Sequence, residues 1–299
     1  MRSAVEKCST VQNVSMTSRV KVGGHLSIRR GYFHAAQTAS TMGAGAFQYF
    51  PKNPRSLTIK HFDPGDAEKC KLWCNERGII SVAHTPYPSN LAVDSESESA
   101  AYHKIVASLR NDLEIAEACG SLGIVVHFGI YRAGNPLQGY KNVIQCINEI
   151  LKGWQGNAKL LIENQAGDHG DMGMTIEEMV QIRKLCETPE QIGFCLDTCH
   201  AFGAGVWRGA EDDSFIAKGR ELGFWDHVLA VHLNDSKYPY GSRKDRHERV
   251  GQGYIGEAGF QKLLAAEEIK EKAFILESET GEDGTYTWDM EQVRRWSEA

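Results

Sequence analysis

One strand-to-loop segment contains two side chains that could bind a metal ion. Ile192, Phe194 and Leu196 alternate with other residues and predict a short buried strand, which ends at Asp197. His200 follows three residues later. A carboxylate and an imidazole at the end of a buried strand are the oxygen and nitrogen donors that Zn²⁺ prefers. For this segment alone, an Asp–His hydrogen bond that ties down a loop explains the pair equally well.

The same pattern recurs at the ends of six consecutive predicted strands. Each strand is a short apolar run with one acid or histidine at its carboxyl end, and each lies about one strand–helix unit after the previous one. These residues are His84, His127, Glu163, Asp197, His232 and Glu277. One or two could be structural, but six unpaired ionisable groups crowded together would repel one another or lose hydration at considerable cost. Divalent cations would remove that cost, so the pattern predicts a polynuclear metal site.

Three further donors, His200, Asp245 and His247, are expected in loops at the same face. Asp245 and His247 are two residues apart, and alternate side chains of an extended segment point the same way. An Asp-x-His pair taken alone is commonly a solvated turn. Together with the six strand-end residues, however, it gives nine nitrogen and oxygen donors and no cysteine. Nine donors are too many for one Zn²⁺ ion and suit three.

The elements that must position these donors follow one repeated unit. Short β-branched segments alternate with longer amphipathic ones, which predicts an α/β protein with the (β/α)8 architecture of a TIM barrel. Strands are expected near residues 21–27, 44–50, 79–85, 123–129, 159–164, 192–198, 228–234 and 273–278. Helices are expected near residues 31–42, 66–78, 97–120, 138–153, 174–187, 211–223, 257–268 and 287–298. The carboxyl ends of all strands in such a barrel face one mouth, where the donors would converge.

The domain organisation and composition restrict the possible partners. No low-complexity linker divides the chain, so we expect one domain over residues 19–299, preceded by a flexible tail over residues 1–18. The net charge is −6 and the pI about 6.0, so an anionic partner must be held by local cations or by metal. The eight cysteines form no paired framework, which is typical of reduced thiols in a cytoplasmic protein. No apolar run reaches about 18 residues, so no transmembrane helix is expected.

Several motifs resemble those of one enzyme family. The most specific are HLNDSK at 232–237, GSRKDRH at 241–247 and GQGYIG at 251–256, accompanied by GHLS at 24–27, KNPR at 52–55, LIENQAG at 161–167 and LDTCHAF at 196–202. These segments are similar to the endonuclease IV family of apurinic/apyrimidinic endonucleases. The resemblance implies an eight-stranded barrel with three zinc ions that cuts DNA on the 5′ side of an abasic site. It also implies a monomeric enzyme that acts on double-stranded DNA with abasic or 3′-blocked lesions.

The resemblance further implies a division of labour among the nine donors. The three zinc ions would be held by three sets: His84, His127 and Glu163; Glu163, Asp197, His232 and Glu277; and His200, Asp245 and His247. Mn²⁺ could occupy one of the positions. Hydroxide shared by the first two ions would attack the phosphorus in line, and the third ion would stabilise the leaving 3′-oxygen. Glu163 and Glu277 would be the catalytic carboxylates.

Residues that contact DNA are also implied. Arg55 and Tyr87 match residues that enter the duplex at the lesion and stabilise bent DNA with the abasic nucleotide flipped out. The alternative is an ordinary surface arginine and a half-buried tyrosine. Cations near the third zinc position could contact backbone phosphates or form a merely solvated basic loop. These cations are Lys237, Arg243, Lys244, Arg246 and Arg249.

The chain departs from the family pattern in two places. Phe128 and Ile130 flank Gly129 where the family commonly has Pro-Gly-Ser, and Pro88 replaces an apolar wedge residue. Both changes are expected in the substrate groove, where they would affect the bending of DNA and the range of lesions. The hydrolytic chemistry would be unaffected.

Two other functions fit part of the pattern. The set Glu163, Asp197, His232 and Glu277 alone would suit a sugar isomerase or epimerase of the xylose-isomerase-like barrels, which needs one metal centre. The five additional donors argue against it. A non-catalytic barrel that binds lesions would require a broken ligand set, and none of the nine positions is broken.

Overall fold

The computed structural model describes residues 20–132 and 135–298. The predicted tail over residues 1–18 lies outside the described residues, as does residue 19, where the predicted domain begins. Within the described ranges, no helix is both long and apolar enough to cross a membrane.

The described part of the chain forms ten strands, of which eight build one parallel sheet. The ten are β1 (Lys21–Gly24), β2 (Ala46–Tyr49), β3 (Ile80–His84), β4 (Gly123–His127), β5 (Lys159–Glu163), β6 (Ile192–Asp197), β7 (Val228–His232), β8 (Asp235–Ser236), β9 (His247–Glu248) and β10 (Ala273–Leu276). The order in the large sheet is β1-β10-β7-β6-β5-β4-β3-β2, and its described pairings are parallel.

Strands β1 and β2 close this sheet into a barrel. The Gly45 amide donates to the Val22 carbonyl at 2.9 Å, and the Leu26 amide donates to the Gln48 carbonyl at 2.7 Å. Glycine at position 23 permits this close approach, because a Cβ there would lie 1.7 Å from the carbonyl oxygen of Ala46. The predicted TIM barrel is therefore confirmed, with each of the eight barrel strands inside its predicted range and one to three residues shorter.

Nine α-helices lie in the described ranges; eight of them overlap the predicted helices, and the short sixth one is not predicted. They are α1 (Tyr32–Thr41), α2 (Pro64–Arg77), α3 (Ser99–Cys119), α4 (Pro136–Leu151), α5 (Ile176–Leu185), α6 (Thr198–Gly203), α7 (Phe215–Leu222), α8 (Gly256–Leu264) and α9 (Thr287–Ser297). Helix α5 begins with a capping box in which the Glu178 amide donates to the Thr175 hydroxyl and the Thr175 amide donates to the Glu178 carboxylate. Asp63 and Asn135 cap α2 and α4 with a proline in the first turn.

The apolar core has two layers. The larger layer lies between the sheet and the helices, and the smaller one fills the inside of the barrel. The inner layer consists of Ala46, Val82, Val125, Leu161, Cys195, Ala230, Ala273 and Ile275. Because side chains on a strand repeat every two residues, the next inward position on each strand lies one layer nearer the mouth. That position carries an ionisable or amide side chain on most strands, as described below.

Two elements differ from the expectation that His200, Asp245 and His247 lie in loops. His200 lies on the short helix α6, because the carboxylate of Asp197 accepts the His200 amide at 2.7 Å and caps a helical turn. His247 lies on β9, which pairs antiparallel with β8 in a two-stranded ribbon. Asp245 precedes the ribbon strand in irregular structure, as expected. Neither element has enough residues for a periodic pattern to predict it.

Candidate metal centre

The six strand-end donors meet at the carboxyl-terminal mouth of the barrel. Five of them are the last residues of β3 to β7, and Glu277 directly follows β10. Each lies two residues after a member of the inner apolar layer, so together they form the next layer of the barrel interior. The strands alone therefore bring these six side chains together in one layer at the mouth.

The first group of donors consists of His84, His127 and Glu163. Oε2 of Glu163 lies 2.9 Å from Nε2 of His127 and 3.6 Å from Nε2 of His84. Glu163 is 1% exposed, and the donor atoms of all three residues lie within 4.8 Å of one another. This separation is that of ligands around a single ion.

The second group shares Glu163 with the first. It consists of Glu163, Asp197, His232 and Glu277, whose donor atoms again lie within 4.8 Å of one another. Nδ1 of His232 is 2.9 Å from Oε1 of Glu163 and 3.1 Å from Oε2 of Glu277. Because Oε2 of Glu163 faces the first group and Oε1 faces the second, this carboxylate can bridge two ions.

The third group consists of His200, Asp245 and His247. Oδ1 of Asp245 lies 3.2 Å from Nε2 of His200 and 3.1 Å from Nε2 of His247. The ribbon register, in which Ser236 pairs with His247, brings the histidine over the mouth. The Arg243 amide donates to the Gly203 carbonyl at 2.9 Å and ties the loop that carries Asp245 to the end of α6.

Buried donor atoms without hydrogen bonds support metal binding. Oε2 of Glu163, Nε2 of His200 and Nε2 of His247 are buried and have no hydrogen-bond partner among the described residues. Each atom faces another charged group at 2.9 to 3.2 Å instead. Buried polar atoms are almost always paired, and mixed imidazole and carboxylate donors at these separations suit Zn²⁺ or a similar divalent ion. The residues present therefore fit such a group.

Backbone carbonyls orient two of the imidazoles. Nδ1 of His84 lies 2.8 Å from the Thr85 carbonyl, and Nδ1 of His200 lies 2.8 Å from the Asn164 carbonyl. A carbonyl can only accept, so Nδ1 carries the proton in both rings. In the neutral form of each ring, Nε2 then carries the lone pair that can bind an ion.

Three amide side chains that sequence reasoning missed hold the second group. Oε1 of Gln48 is 2.8 Å from Nε2 of His232, which leaves Nδ1 of that ring for a metal ion. Nε2 of Gln48 donates to Oε1 of Glu277 at 2.5 Å. Asn234 donates to both Asp197, at 2.8 Å, and Glu277, at 3.1 Å. Asn164 fixes the Asp197 backbone by a reciprocal pair of hydrogen bonds at 2.8 and 3.0 Å. Such partners fix ligand geometry and raise metal affinity.

A period of two along the strands would have found Gln48. It lies two residues after Ala46 of the inner layer, where the other strands carry their donors. His25 occupies the corresponding position after β1, and its Nδ1 lies 3.2 Å from Nε2 of Gln48. Burial lowers the pKa of His25 to about 4, so this ring is neutral. Gln48 is missed from the sequence because an amide carries no metal signature. His25 is missed because it lies inside the predicted strand 21–27 and not at its end.

The charges of the centre balance as imidazolium–carboxylate pairs when no metal is bound. Burial alone would raise the pKa of Glu163, but His127 and His232 hold it well below its ordinary value. Burial would also raise the pKa of Glu277, but His232 and other neighbours lower it to about 2. Conversely, burial lowers the pKa of His200, but the carboxylates of Asp197 and Asp245 raise it well above the ordinary value.

Cys199 is near the centre but is a poor ligand. Its sulfur belongs to a further cluster with Asp197 and His247. Burial raises the pKa of the Cys199 thiol to about 12, and Sγ faces the Arg246 carbonyl at 3.7 Å. A neutral thiol that donates to the backbone does not bind Zn²⁺ as a thiolate does. The donor set proposed for the ions therefore excludes cysteine.

Arg55 and Tyr87 lie on neighbouring loops beside the mouth. Both side chains are exposed, Tyr87 by 68%. The Tyr87 amide donates to the Pro54 carbonyl at 2.8 Å, which joins the two loops. The Tyr87 ring packs edge-on against Phe50 with centroids 5.2 Å apart, and Phe50 in turn contacts His84. The structure thus brings Arg55 and Tyr87 together above the first donor group.

The basic residues of the ribbon loop have different surroundings. Lys237, Arg243 and Arg246 are exposed, and Arg243 makes a surface ion pair with Asp171 at 2.6 Å. Arg249 does not suit a phosphate contact, because it pairs with the fully buried carboxylate of Asp289 at 2.8 Å.

The mouth forms a cavity of about 490 Å³. Pro88 and Ile130 line it together with donors of the first and third groups. The expectation for Phe128 is wrong. Its ring is fully buried beneath Gly173, where a Cβ would lie 2.4 Å from the ring, so Phe128 belongs to the core.

The barrel and its metal-capable mouth define the class of protein. The family model described as Xylose isomerase-like TIM barrel matches residues 36–296, so the chain belongs to that family. The chain is 40% identical over 276 residues to the protein named "Probable endonuclease 4" from Symbiobacterium thermophilum, with 92% of this chain and 99% of that protein covered. Within the broad class, the chain therefore belongs to the endonuclease IV family.

Solved structures agree with this assignment. The crystal structure of endonuclease IV from Thermus thermophilus is similar with a TM-score of 0.80 and 34% identity, and the match covers 93% of this chain and 99% of that one. A D-tagatose 3-epimerase-like protein is similar with a TM-score of 0.68 at 19% identity, covering 92% and 97% of the two chains. At that identity the second likeness shows the fold alone.

Binding of Zn²⁺ to the metal-free protein at pH 7 is expected to release protons. The pKa values of His200 and His232 are raised well above the ordinary value, so both rings are protonated at pH 7. A histidine must lose this extra proton before it can bind a metal ion. The carboxylates of Glu163, Asp245 and Glu277 have lowered pKa values and contribute none. We expect at least about two protons per chain at saturation, because the pKa values of His127 and His247 are raised as well.

Calorimetric titration with ZnCl₂ in two buffers of different ionisation heat measures this release. His200→Gln should reduce the release at pH 7 by about one proton, while His103→Gln, on the outer helix α3, should leave it unchanged. A release of no protons by the wild-type protein at pH 7 would contradict the charge balance described above.

Proposed function

We propose that this member of the endonuclease IV family is a DNA-repair hydrolase that cuts the phosphodiester backbone on the 5′ side of abasic sites. The observation that carries the proposal is the arrangement of nine donors in three contiguous groups at one barrel mouth, with Glu163 shared between two of them. Three cations within one mouth match the need of phosphodiester hydrolysis to neutralise a nucleophile, a phosphate and a leaving oxygen.

The proposed metals are three zinc ions, with Mn²⁺ possible at one position. The first ion would be held by His84, His127 and Glu163, and the third by His200, Asp245 and His247. The second would be held by the remaining set: Glu163, Asp197, His232 and Glu277. Bound divalent ions supply Lewis acidity, which lowers the pKa of a water nucleophile and offsets the developing negative charge of the phosphate.

The chain's own residues have the tasks of alignment and charge control. Glu163 is positioned to bridge the first and second groups, and Glu277 to complete the second, which makes these two carboxylates the proposed catalytic residues. Gln48 and Asn234 hold Glu277 in one orientation. Because no serine or cysteine nucleophile lies among the described donors of the mouth, the attacking group in the proposal is water.

The proposed substrate is double-stranded DNA with an abasic or 3′-blocked lesion. Arg55 and Tyr87 would enter the duplex there, and an aromatic ring that replaces a missing base can offset the unstacking. Lys237, Arg243 and Arg246 would contact backbone phosphates, which compensates for the net charge of −6.

Three coarser features complete the proposal. Residues 19–299 would form a single domain, and the enzyme would act as a monomer. The seven cysteines among the described residues are free and buried, which supports a reducing compartment such as the cytoplasm.

The isomerase or epimerase alternative uses the second donor group only. It leaves the buried atoms of His200 and His247 without a role. A chain that holds a single Mn²⁺ or Mg²⁺ ion and converts sugars would favour that alternative.

Glu163→Gln and Glu277→Gln are each expected to lower cleavage by at least about a thousandfold while the barrel stays folded, since loss of a ligand charge removes several kcal/mol of stabilisation. The assay is incubation of a labelled duplex carrying one tetrahydrofuran abasic analogue, with and without chelator. Glu68→Gln, an exposed position on α2, is the matched control and should cleave normally. Retained turnover in either mouth variant would refute its assigned role, and failure of the metal-loaded wild type to cut would refute the function.

Tyr87→Ala is expected to weaken binding to the abasic duplex by about tenfold or more, because stacking of a ring on a base is worth about 1–3 kcal/mol. Zinc content should not change, since Tyr87 holds no donor of the three groups. Tyr87→Phe keeps the ring and should bind nearly as the wild type does, and Leu137→Ala controls for loss of an exposed apolar side chain. An unchanged affinity of Tyr87→Ala in a fluorescence anisotropy titration would make Tyr87 an ordinary surface residue.

A further inference from the structure

A buried ion pair lies beneath the loop that carries Arg55. Lys52 follows β2, yet its side chain is only 2% exposed and contacts residues of α3. Its Nζ donates to the Ser108 carbonyl at 2.7 Å and lies 3.0 Å from Oδ1 of Asp112, which is fully buried. Lys52 begins the KNPR segment that ends at Arg55, so the lysine is an internal anchor directly before the loop.

The other end of the same loop has a second anchor on α3. The Lys60 amide donates to Oδ1 of Asn111 at 2.8 Å, and Nδ2 of Asn111 donates back to the Lys60 carbonyl at 3.2 Å. Ser108, Asn111 and Asp112 are three and four residues apart, so they lie on one face of the helix. This buried polar face holds residues 52 and 60, and Arg55 lies between the two anchors.

The anchored loop also positions Tyr87. The Pro54 carbonyl accepts the Tyr87 amide, and Oδ1 of Asn53 accepts the Arg55 amide at 3.0 Å. A displacement of the loop at Lys52 would therefore move both Arg55 and Tyr87 relative to the metal centre.

Stability alone does not explain a buried charge pair at this position. Removing both ions from water is costly, and replacement of a buried pair by apolar residues of similar size is often neutral or stabilising. Burial raises the pKa of Asp112 to about 7 although Lys52 opposes the shift, which reflects how strongly the site disfavours an isolated carboxylate. The Lys52 ammonium has two partners on α3, the Ser108 carbonyl and the Asp112 carboxylate, which define one position for the start of the loop.

We propose that Lys52 and Asp112 are positioning residues that hold Arg55 and Tyr87 at a fixed height above the metal centre and so set the affinity for lesion-containing DNA. The inference rests on the proposed function of the mouth. It assigns no part in metal binding or in the chemical step to Lys52 or Asp112, because neither belongs to the three donor groups.

The main test replaces both charges at once with Lys52→Met and Asp112→Leu, so that no buried charge is left unpaired. The metal-loaded double variant should keep the wild-type zinc content and a kcat within about threefold of wild type, while KM for the tetrahydrofuran duplex rises about tenfold. Amides of residues 52–60 should exchange hydrogen faster than in the wild type without DNA. Removal of the distant Arg220–Glu268 pair by Arg220→Met and Glu268→Leu is the matched control and should change neither KM nor this exchange.

A thermodynamic cycle tests whether the pair acts through the DNA-facing residues. In a background of Arg55→Ala and Tyr87→Ala, the double replacement should raise KM by less than about twofold more, because the loop no longer presents a side chain to DNA. The combination of Lys52→Gln and Asp112→Asn, which removes both charges and keeps hydrogen-bonding side chains, is the second variant if the first double replacement does not fold. It should raise KM about threefold and accelerate the exchange of the same amides.

The outcomes separate the inference from the proposed function. Wild-type cleavage together with an unchanged KM in the folded variants would overturn the positioning role alone. A full tenfold effect in the Arg55 and Tyr87 background would also overturn it, because the pair would then act elsewhere. A wild-type protein that does not cut abasic DNA would overturn the proposed function, whatever the exchange of the loop amides.

Discussion

The structure depends on the balance of charge in one layer of the barrel interior. Four carboxylates and five imidazoles crowd around the mouth, and most of them are buried. In the metal-free protein they coexist because His200 and His232 take up protons and pair with the acids, as the raised pKa values of these two rings and the lowered pKa of Glu163 indicate. Divalent cations would replace those protons with less mobile and more concentrated positive charge. The carboxylates thus lie at the mouth, where cations would bind and where the anionic substrate would approach.

Geometry rather than local sequence determines which donors share an ion. Glu163 is central because its Oε2 faces His127 on the neighbouring strand β4, whereas its Oε1 faces His232 on β7, two strands away in the other direction. The third group is built differently, from the short helix α6 and the β8–β9 ribbon, and the Asp197 carboxylate connects it to the barrel by capping α6. Gln48 and Asn234 then fix the orientations that the strands leave free. The loop of Arg55 is bonded to α3 at residues 52 and 60, and the Tyr87 amide is bonded to that loop at the Pro54 carbonyl, so hydrogen bonds connect α3 to the surface proposed to face DNA.

Much of this arrangement can be predicted from sequence because the strand period and the donor period coincide. An apolar run that ends in His, Asp or Glu determines both the strand and the side-chain layer, which is why the barrel and the positions of the six strand-end donors are predictable. Gln48 escapes prediction because an amide has no metal signature, although it occupies the same layer. The burial of Lys52 cannot be predicted from sequence because it depends on Asp112, which is distant in sequence. The burial of Phe128 cannot be predicted either, because it depends on a tertiary contact with Gly173. The helix of His200 and the ribbon of His247 are too short for periodicity.

The most direct measurement of the central claim is the number of zinc ions per chain, obtained by native mass spectrometry of protein loaded with zinc and freed of excess metal. Three contiguous donor groups predict three ions in the wild type and two in His247→Ala, which loses a ligand of the third group only. Cleavage of the tetrahydrofuran duplex should fall with the loss of that third ion. A wild-type chain that binds a single ion and still cleaves the duplex at full rate would contradict the three-ion centre.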